Sequence, residues 1–317
     1  MRNTLLAIII GLILAVGGIF GYDALDDTIK SPDDIIRKLN LPVMGTIPRF
    51  EEPEDGRLIS QAQPRSPITE SFRALRTNVQ YASVDAPLRT LMVTSPTPSD
   101  GKTTIVSNLA VVISKTGKRV TVLDADMHRP RIHSMFKTNF KPGLSGMFLS
   151  PLLHLNGTFQ DTDFDMLHVV CAGELPPNPS ELLGSKTMLE IMNLVLDKSD
   201  LVLIDTPPIL SVTDAMVLAP LVDGVLLVIK PGVTKFSMLQ STLEQLRYVG
   251  AKVIGVVING IDEKNPRYGY YYKSYHYKTY KQYGHGGDAS KEKGRGAGKV
   301  MKVKVKVKEV EEVEIDE

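Results

Sequence analysis

Between residues 89 and 259, short apolar runs alternate with segments of helical periodicity. The runs are RTLMVTS, RVTVLDA, LHVVCA, DLVLID, GVLLVIK and KVIGVVIN, rich in β-branched residues and Leu. They are continuously apolar, which predicts strands buried on both faces. Helical patterns fall between several of them, at 103–115, 185–197 and 235–248. Alternation of this kind, with right-handed crossovers, predicts an α/β fold: a doubly wound, mostly parallel sheet.

Upstream, Ser66-Pro67 opens a helix whose core face carries Ile68, Phe72, Leu75 and Val79. Glu70, Arg73 and Arg76 recur every three residues on another face, and spacing alone predicts a solvated face with a local ion pair. SPDDIIRKLNLP reads as a short capped helix, with Ser31 as N-cap, Pro32 in the first turn and Ile35, Ile36 and Leu39 on one side. Residues 51–64 are polar and punctuated by Pro, as in a linker. Residues 4–21 carry no charge, and about 18 apolar residues is near the lower limit for spanning a bilayer. The alternative is a secretory signal peptide, since residues 1–4 resemble a short basic n-region; no small-x-small cleavage site follows cleanly, which favours a retained transmembrane helix. Lys30, Arg37 and Lys38 then place the remainder on the cytoplasmic side, in a single-pass protein of the plasma or inner membrane.

From Tyr268 the pattern stops. Tyr268, Tyr270, Tyr271, Tyr272, Tyr275, Tyr277, Tyr280 and Tyr283 stand among glycines and lysines. The final stretch alternates Lys and Val, then Val and acids. It reads equally as an oppositely charged hairpin or a disordered tail, and has no functional account. The organisation expected is therefore a transmembrane helix at 1–21, a connector at 22–65, a catalytic domain at 66–265, a tyrosine cluster at 266–284 and a low-complexity tail at 285–317.

Composition changes this picture little. A net charge of +1 supplies no global field toward nucleic acid, so no nucleic-acid partner is expected. Cys171 is the single cysteine, which excludes an internal disulfide and a cysteine-only metal cluster within one chain. It lies in an apolar run and is expected to pack in a strand of a reduced, cytosolic domain.

The chemistry lies at strand ends. After RTLMVTS comes SPTPSDGKTT and then a helix, a loop that ends as a Walker A phosphate loop does, with Pro96 where its first glycine usually stands. Ser99, Asp100, Gly101, Lys102, Thr103 and Thr104 form the expected phosphate site. Gly101 admits close backbone approach, Lys102 brings charge to the β- and γ-phosphates, and the Thr103 hydroxyl is a Mg²⁺ ligand. Two further strands end in carboxylates: Asp124 and Asp126 in VLDAD, and Asp205 in LVLIDTPP. Open α/β sheets bind ligands at this edge, and Asp205 holds the position of a Walker B aspartate. ATP with Mg²⁺ is the expected ligand, and a domain that needs cytosolic ATP fits a cytoplasmic placement.

With these residues assembled, residues 66–283 resemble the bacterial tyrosine kinases of capsule and exopolysaccharide synthesis, whose P-loop fold is related to the MinD and ParA ATPases. The resemblance rests on Gly101-Lys102-Thr103-Thr104, VTVLDADMHRP, LVLIDTPP, GELPPNPSELLGS and the tyrosine cluster. It implies autophosphorylation of the cluster in trans, with Lys102, Asp124, Asp126 and Asp205 catalytic. Thr103, Asp126 and Asp205 would hold the metal, Asp124 would act as base on the incoming phenol, and Asn259 would contact adenine. Asn259 taken alone reads equally as a strand-end turn residue. The family's Glu-x-x-Arg-x-x-Arg helix mediates ring formation, which gives Glu70, Arg73 and Arg76 that role in place of the solvated face. A tyrosine phosphatase and a membrane-bound chain-length regulator are the implied partners.

Residues 4–48 are similar to the last membrane helix and cytoplasmic exit of such regulators, whose remaining part would come from a partner or precede this chain. Two departures stand out. His128 replaces the arginine usual after Asp-x-Asp-x, with Arg129 following. Thr97 stands where MinD-type ATPases carry a signature lysine, which the tyrosine kinases also lack, and this favours a kinase over a cell-division ATPase. The rival readings are a MinD/ParA-like ATPase and a non-catalytic nucleotide-binding membrane scaffold of polysaccharide assembly.

Overall fold

The structure, a computed structural model, describes residues 10–14, 17, 26–29, 31–82 and 87–262. At its centre is an eight-stranded sheet: β1 (Val43–Pro48), β2 (Thr90–Thr94), β3 (Val120–Asp124), β4 (Gln160–Asp161), β5 (Leu167–Val170), β6 (Leu201–Asp205), β7 (Gly224–Ile229) and β8 (Val253–Ile261). Their order is β1-β8-β7-β2-β6-β3-β5-β4, and only the short β4 runs antiparallel. The expected doubly wound parallel fold is therefore present. From β2 the chain winds out to β3 and β5, returns to β6, then crosses to β7 and β8. The loop after β2 leaves the sheet where this winding changes direction, the crevice in which such sheets bind ligands.

Hydrophobic clusters cover both faces of the sheet, which is why its strands are apolar without alternation. The predicted helices are α1 (Pro32–Leu39), α3 (Pro67–Tyr81), α4 (Lys102–Ser114), α9 (Lys186–Lys198) and α11 (Phe236–Tyr248). Between them lie short α2 (Ile59–Ala62), α5 (Ile132–Phe136), α6 (Leu144–Met147), α7 (Pro151–Thr158), α8 (Pro179–Leu183) and α10 (Asp214–Leu218). The Ser31 and Ser66 hydroxyls accept Asp34 N–H and Thr69 N–H at 3.2 Å, and each helix takes Pro in its first turn. These are the caps read from the sequence. Almost every residue of α4 is buried, so the helix behind the phosphate loop is anchored on all sides.

The segment expected as a connector carries a strand of the sheet. β1 pairs in parallel with β8, with Val43 opposite Val256 and Ile47 opposite Asn259. Its VMGTIP run has a glycine, a terminal proline and only six residues, too little for a strand signal. Pro48 is tolerated because β1 is an edge strand. Residues 26–29 also join the domain. Ile29 N–H donates to Thr234 O at 3.1 Å, Phe236 N–H to Asp27 O at 2.7 Å, and the Asp27 carboxylate accepts Ser237 N–H at 3.1 Å. Asp27 thus supplies α11 with a cap that its own Lys235 does not.

Of the predicted transmembrane helix, residues 10–14 and 17 are described; they are helical and exposed. Among the described residues no helix is long and apolar enough to cross a membrane. The rest of that segment, the tyrosine cluster and the tail lie outside the described residues.

Candidate nucleotide and metal site

β2 delivers Ser95 to the sheet edge, and α4 starts at Lys102. Between them the backbone takes left-handed conformations at Ser99 (φ 66°) and Gly101 (φ 94°). At Gly101 a side chain is excluded twice: by the dihedral, and by Asn259, whose Nδ2 lies 2.1 Å from where a Cβ would be. Asn259 Nδ2 donates to the Asp100 carbonyl at 2.9 Å, so its amide is committed to the loop. The Asp100 side chain turns inward. It is fully buried and accepts from Thr97 N–H, Thr97 Oγ1 and Thr234 Oγ1, so what Asp100 offers a phosphate is backbone. Burial pushes its carboxyl up, against these donors and the Lys102 charge.

The carboxylates converge through sheet register. β3 and β6 are neighbours, and Asp124 stands directly opposite Asp205. Asp205 Oδ2 accepts the Thr103 hydroxyl at 2.6 Å. Burial, with Asp126 nearby, raises the Asp205 carboxyl to about 7, against the pull of Thr103 and Lys102. Asp124 is fully buried; its Oδ1 accepts Asp126 N–H at 3.2 Å and its Oδ2 accepts Ile132 N–H at 3.1 Å. Burial and the charge of Asp205 raise it well above the usual carboxylate range. Asp126 is 8% exposed and accepts the backbone N–H groups of His128 and Arg129.

The donor set fits a hard divalent cation. Asp205 Oδ1 is buried and has no hydrogen-bond partner, beside the Thr103 hydroxyl and the two aspartates of the β3 loop. No group of three or more His, Cys, Asp or Glu side chains suited to a metal occurs among the described residues. A Mg²⁺ bound largely by phosphate and water needs only one or two protein oxygens.

His128 finds a partner that sequence reasoning missed. Its Nε2 lies 3.0 Å from Oδ2 of Asp214, buried at the start of α10. The pair ties the loop after Asp126 to the start of α10, across 86 residues of chain. His128→Ala is expected to destabilise the protein by about 1–3 kcal/mol through the lost partner of a buried carboxyl and to slow the reaction. His128→Arg is expected to retain both, as read by thermal melts and turnover.

Glu70 and Arg73 form an ion pair at 2.6 Å on α3, and Arg73 also donates to Pro64 O. Arg76 donates to Val112 O at 3.1 Å while its Nε stays buried without a partner. Within one chain this is the local pairing that spacing alone predicts.

A strand, a left-handed loop ending Gly-Lys-Thr, an anchored helix and a facing strand-end aspartate define a P-loop NTPase. Residues 88–285 match the ParA family, described as "NUBPL iron-transfer P-loop NTPase". The tyrosine-protein kinase YwqD of Bacillus subtilis is 38% identical over 215 residues, which are 68% of this chain and 90% of that protein. The tyrosine-protein kinase Wzc of Salmonella typhimurium is 32% identical over 289 residues, 86% of this chain but 40% of Wzc, so the chain spans well under half of that relative. The kinase domain of Escherichia coli tyrosine kinase ETK superposes with a TM-score of 0.68 at 30% identity, over 74% of this chain and 96% of that domain. The chain belongs to the bacterial tyrosine kinases, a family of ParA-type P-loop proteins.

Proposed function

We propose that this chain is an ATP-dependent tyrosine autokinase that phosphorylates the cluster Tyr268–Tyr283 on a neighbouring copy and regulates polysaccharide assembly at the membrane. The observation that carries the reading is the convergence of Lys102, Thr103, Asp205, Asp124 and Asp126 at one sheet edge. The backbone of residues 99–104 cradles the phosphates at the N-terminus of α4, and Lys102 stabilises charge on the transferred group. The adenine ring is assigned to the neighbourhood of Asn259. Thr103 and Asp205, with Asp126, would hold Mg²⁺, which when bound neutralises phosphate charge.

A tyrosine oxygen attacks the γ-phosphorus, the bond to the ADP oxygen breaks, and the phenolic proton passes to the Asp124/Asp126 pair. A phenol of pKa near 10 is matched better by a carboxylate of raised proton affinity, as burial gives Asp124, while Asp126 is the more accessible of the two. Glu70, Arg73 and Arg76 are assigned to contacts between copies in a ring. Each phosphate adds about −1.5 to −2 charges, and several on one tail would repel one another and the acidic site. Residues 4–48 fit a membrane helix and cytoplasmic exit, working with a chain-length regulator and reversed by a phosphatase.

Incubating the full chain with Mg-ATP and mapping phosphotyrosine by mass spectrometry tests the reading. Modification within 268–283 is expected. An unmodified cluster with ATP hydrolysis intact would leave a MinD/ParA-like ATPase.

A further inference from the structure

Inside the phosphate loop, Asp100 takes contacts from two other parts of the fold. Asp100 lies between two left-handed positions, Ser99 at φ 66° and Gly101 at φ 94°. A non-glycine residue in that region is strained and persists only where its surroundings over-determine it. The two bonds from Thr97, at 3.1 and 2.9 Å, close the turn three residues away and travel with it. They shape the loop without locating it on the sheet. The ends of the loop are tied by Ile209 N–H to Ser95 O and by the Thr103 hydroxyl to Asp205; at Asp100, between them, two contacts locate it on the sheet. Asn259, at the end of β8, takes the Asp100 carbonyl at 2.9 Å. Thr234, in the loop between β7 and α11, reaches the Asp100 carboxyl oxygen Oδ1 at 3.1 Å.

Thr234 is suited to this by its own bonding. It is fully buried. Its hydroxyl oxygen accepts Lys230 N–H at 2.9 Å, which occupies a lone pair and leaves the single proton for Asp100. Its carbonyl accepts Ile29 N–H, and its own N–H donates to Lys230 O at 2.9 Å. The residue therefore has little freedom, and its hydroxyl points from a fixed frame into the loop that Lys102 and Thr103 continue. Neither Thr234 nor Asp100 offers a side chain to the phosphates; one sets the other, and Asp100 sets the backbone.

We propose that Thr234 is a positioning residue for nucleotide binding: through the Asp100 carboxyl it holds the backbone of residues 99–104 in the phosphate-accepting conformation. The proposal rests on the nucleotide-binding reading of this loop. Thr234→Val keeps the shape of the side chain and removes the hydroxyl. In the full-length protein it is expected to weaken binding of a fluorescent ADP about tenfold, the size of a hydrogen bond to a charged group. The KM for ATP should rise similarly, with kcat held within about threefold. Thr234→Ser is expected to restore affinity to within about twofold.

A double-mutant cycle separates positioning from general loosening. In an Asp100→Ala background, already weakened, Thr234→Val should cause no further loss. Circular dichroism and thermal melts establish that each variant is folded, and Thr234→Ser and Asp100→Ala keep the test open should Thr234→Val not fold. ADP affinity unchanged in folded Thr234→Val, affinity not restored by Thr234→Ser, or additive losses in the cycle would each overturn the proposal. Failure of the wild-type chain to bind ADP would instead overturn the nucleotide reading, and the proposal with it.

Discussion

Replacing Lys102 by Met is expected to lower phosphotyrosine formation about 10²- to 10³-fold, the range seen when one preorganised donor to transition-state charge is removed. The side chain is 7% exposed at the first turn of α4. A buried cation there is preorganised by packing and works in a medium of low polarity, so its effect on developing phosphate charge is larger than in water. Met preserves length and apolar contact, and α4 is anchored by buried residues along its whole length. The variant should therefore fold and keep its assembly while losing chemistry. The loss belongs mainly in kcat, because charge on the transferred group grows toward the transition state. Retention of phosphotyrosine in Lys102→Met would remove the loop from the mechanism. Unchanged polysaccharide output in cells, with phosphotyrosine gone, would favour a scaffold role.

The sheet and the strand-end carboxylates were legible in the sequence because each depends on local pattern: an apolar run, then Asp, then a helix start. Asp205 and Thr103 were paired on motif alone, and they meet at 2.6 Å. What was not legible depends on contacts between distant parts of the chain. β1 has too few residues to announce itself, and it is a strand only because β8 offers an edge. His128, a departure from the family pattern, pairs with Asp214, and nothing near either residue in sequence marks the pair. Asp100 was assigned to phosphate by its place in the loop. Its position fits that assignment, but its side chain turns inward to Thr97 and Thr234. Asn259 shows the same limit: strand-end position placed it beside the site, while the partner of its amide, the Asp100 carbonyl, required the fold.

Asp205 is expected to couple metal binding to pH, and Asp205→Asn to abolish both the coupling and the reaction. In the free protein its carboxyl is pushed up to about 7 from the usual 3.8, chiefly because burial disfavours the charge. Between those values the folded state holds a proton that the unfolded state has released. The unfolded state then binds fewer protons, so the stability contribution of this group falls as pH rises from about 4 to 7. Asp124 opposite is raised as well and pushes in the same direction. Without ligand, the protein should consequently melt lower at pH 8 than at pH 6.

A divalent cation requires the ionised carboxylate and releases its proton on binding. Affinity for Mg-ADP should thus rise across pH 6–8, and the thermal stabilisation it confers should be larger at pH 8. Asparagine at this position cannot ionise. The variant should melt higher than wild type at pH 8 without ligand, having lost a buried charge, and its Mg²⁺-dependent shift should be small at every pH. Turnover should fall by at least about 10²-fold, as expected for loss of a ligand that holds charge against the transferred phosphoryl group. Thermal melts with and without Mg-ADP at pH 6, 7 and 8, run on both proteins, check each sign independently. A wild-type melting temperature that rises from pH 6 to pH 8 without ligand, together with a Mg²⁺ response indifferent to pH, would show that the Asp205 carboxyl is already ionised in the free site and that the energy of metal binding is not drawn against a buried proton.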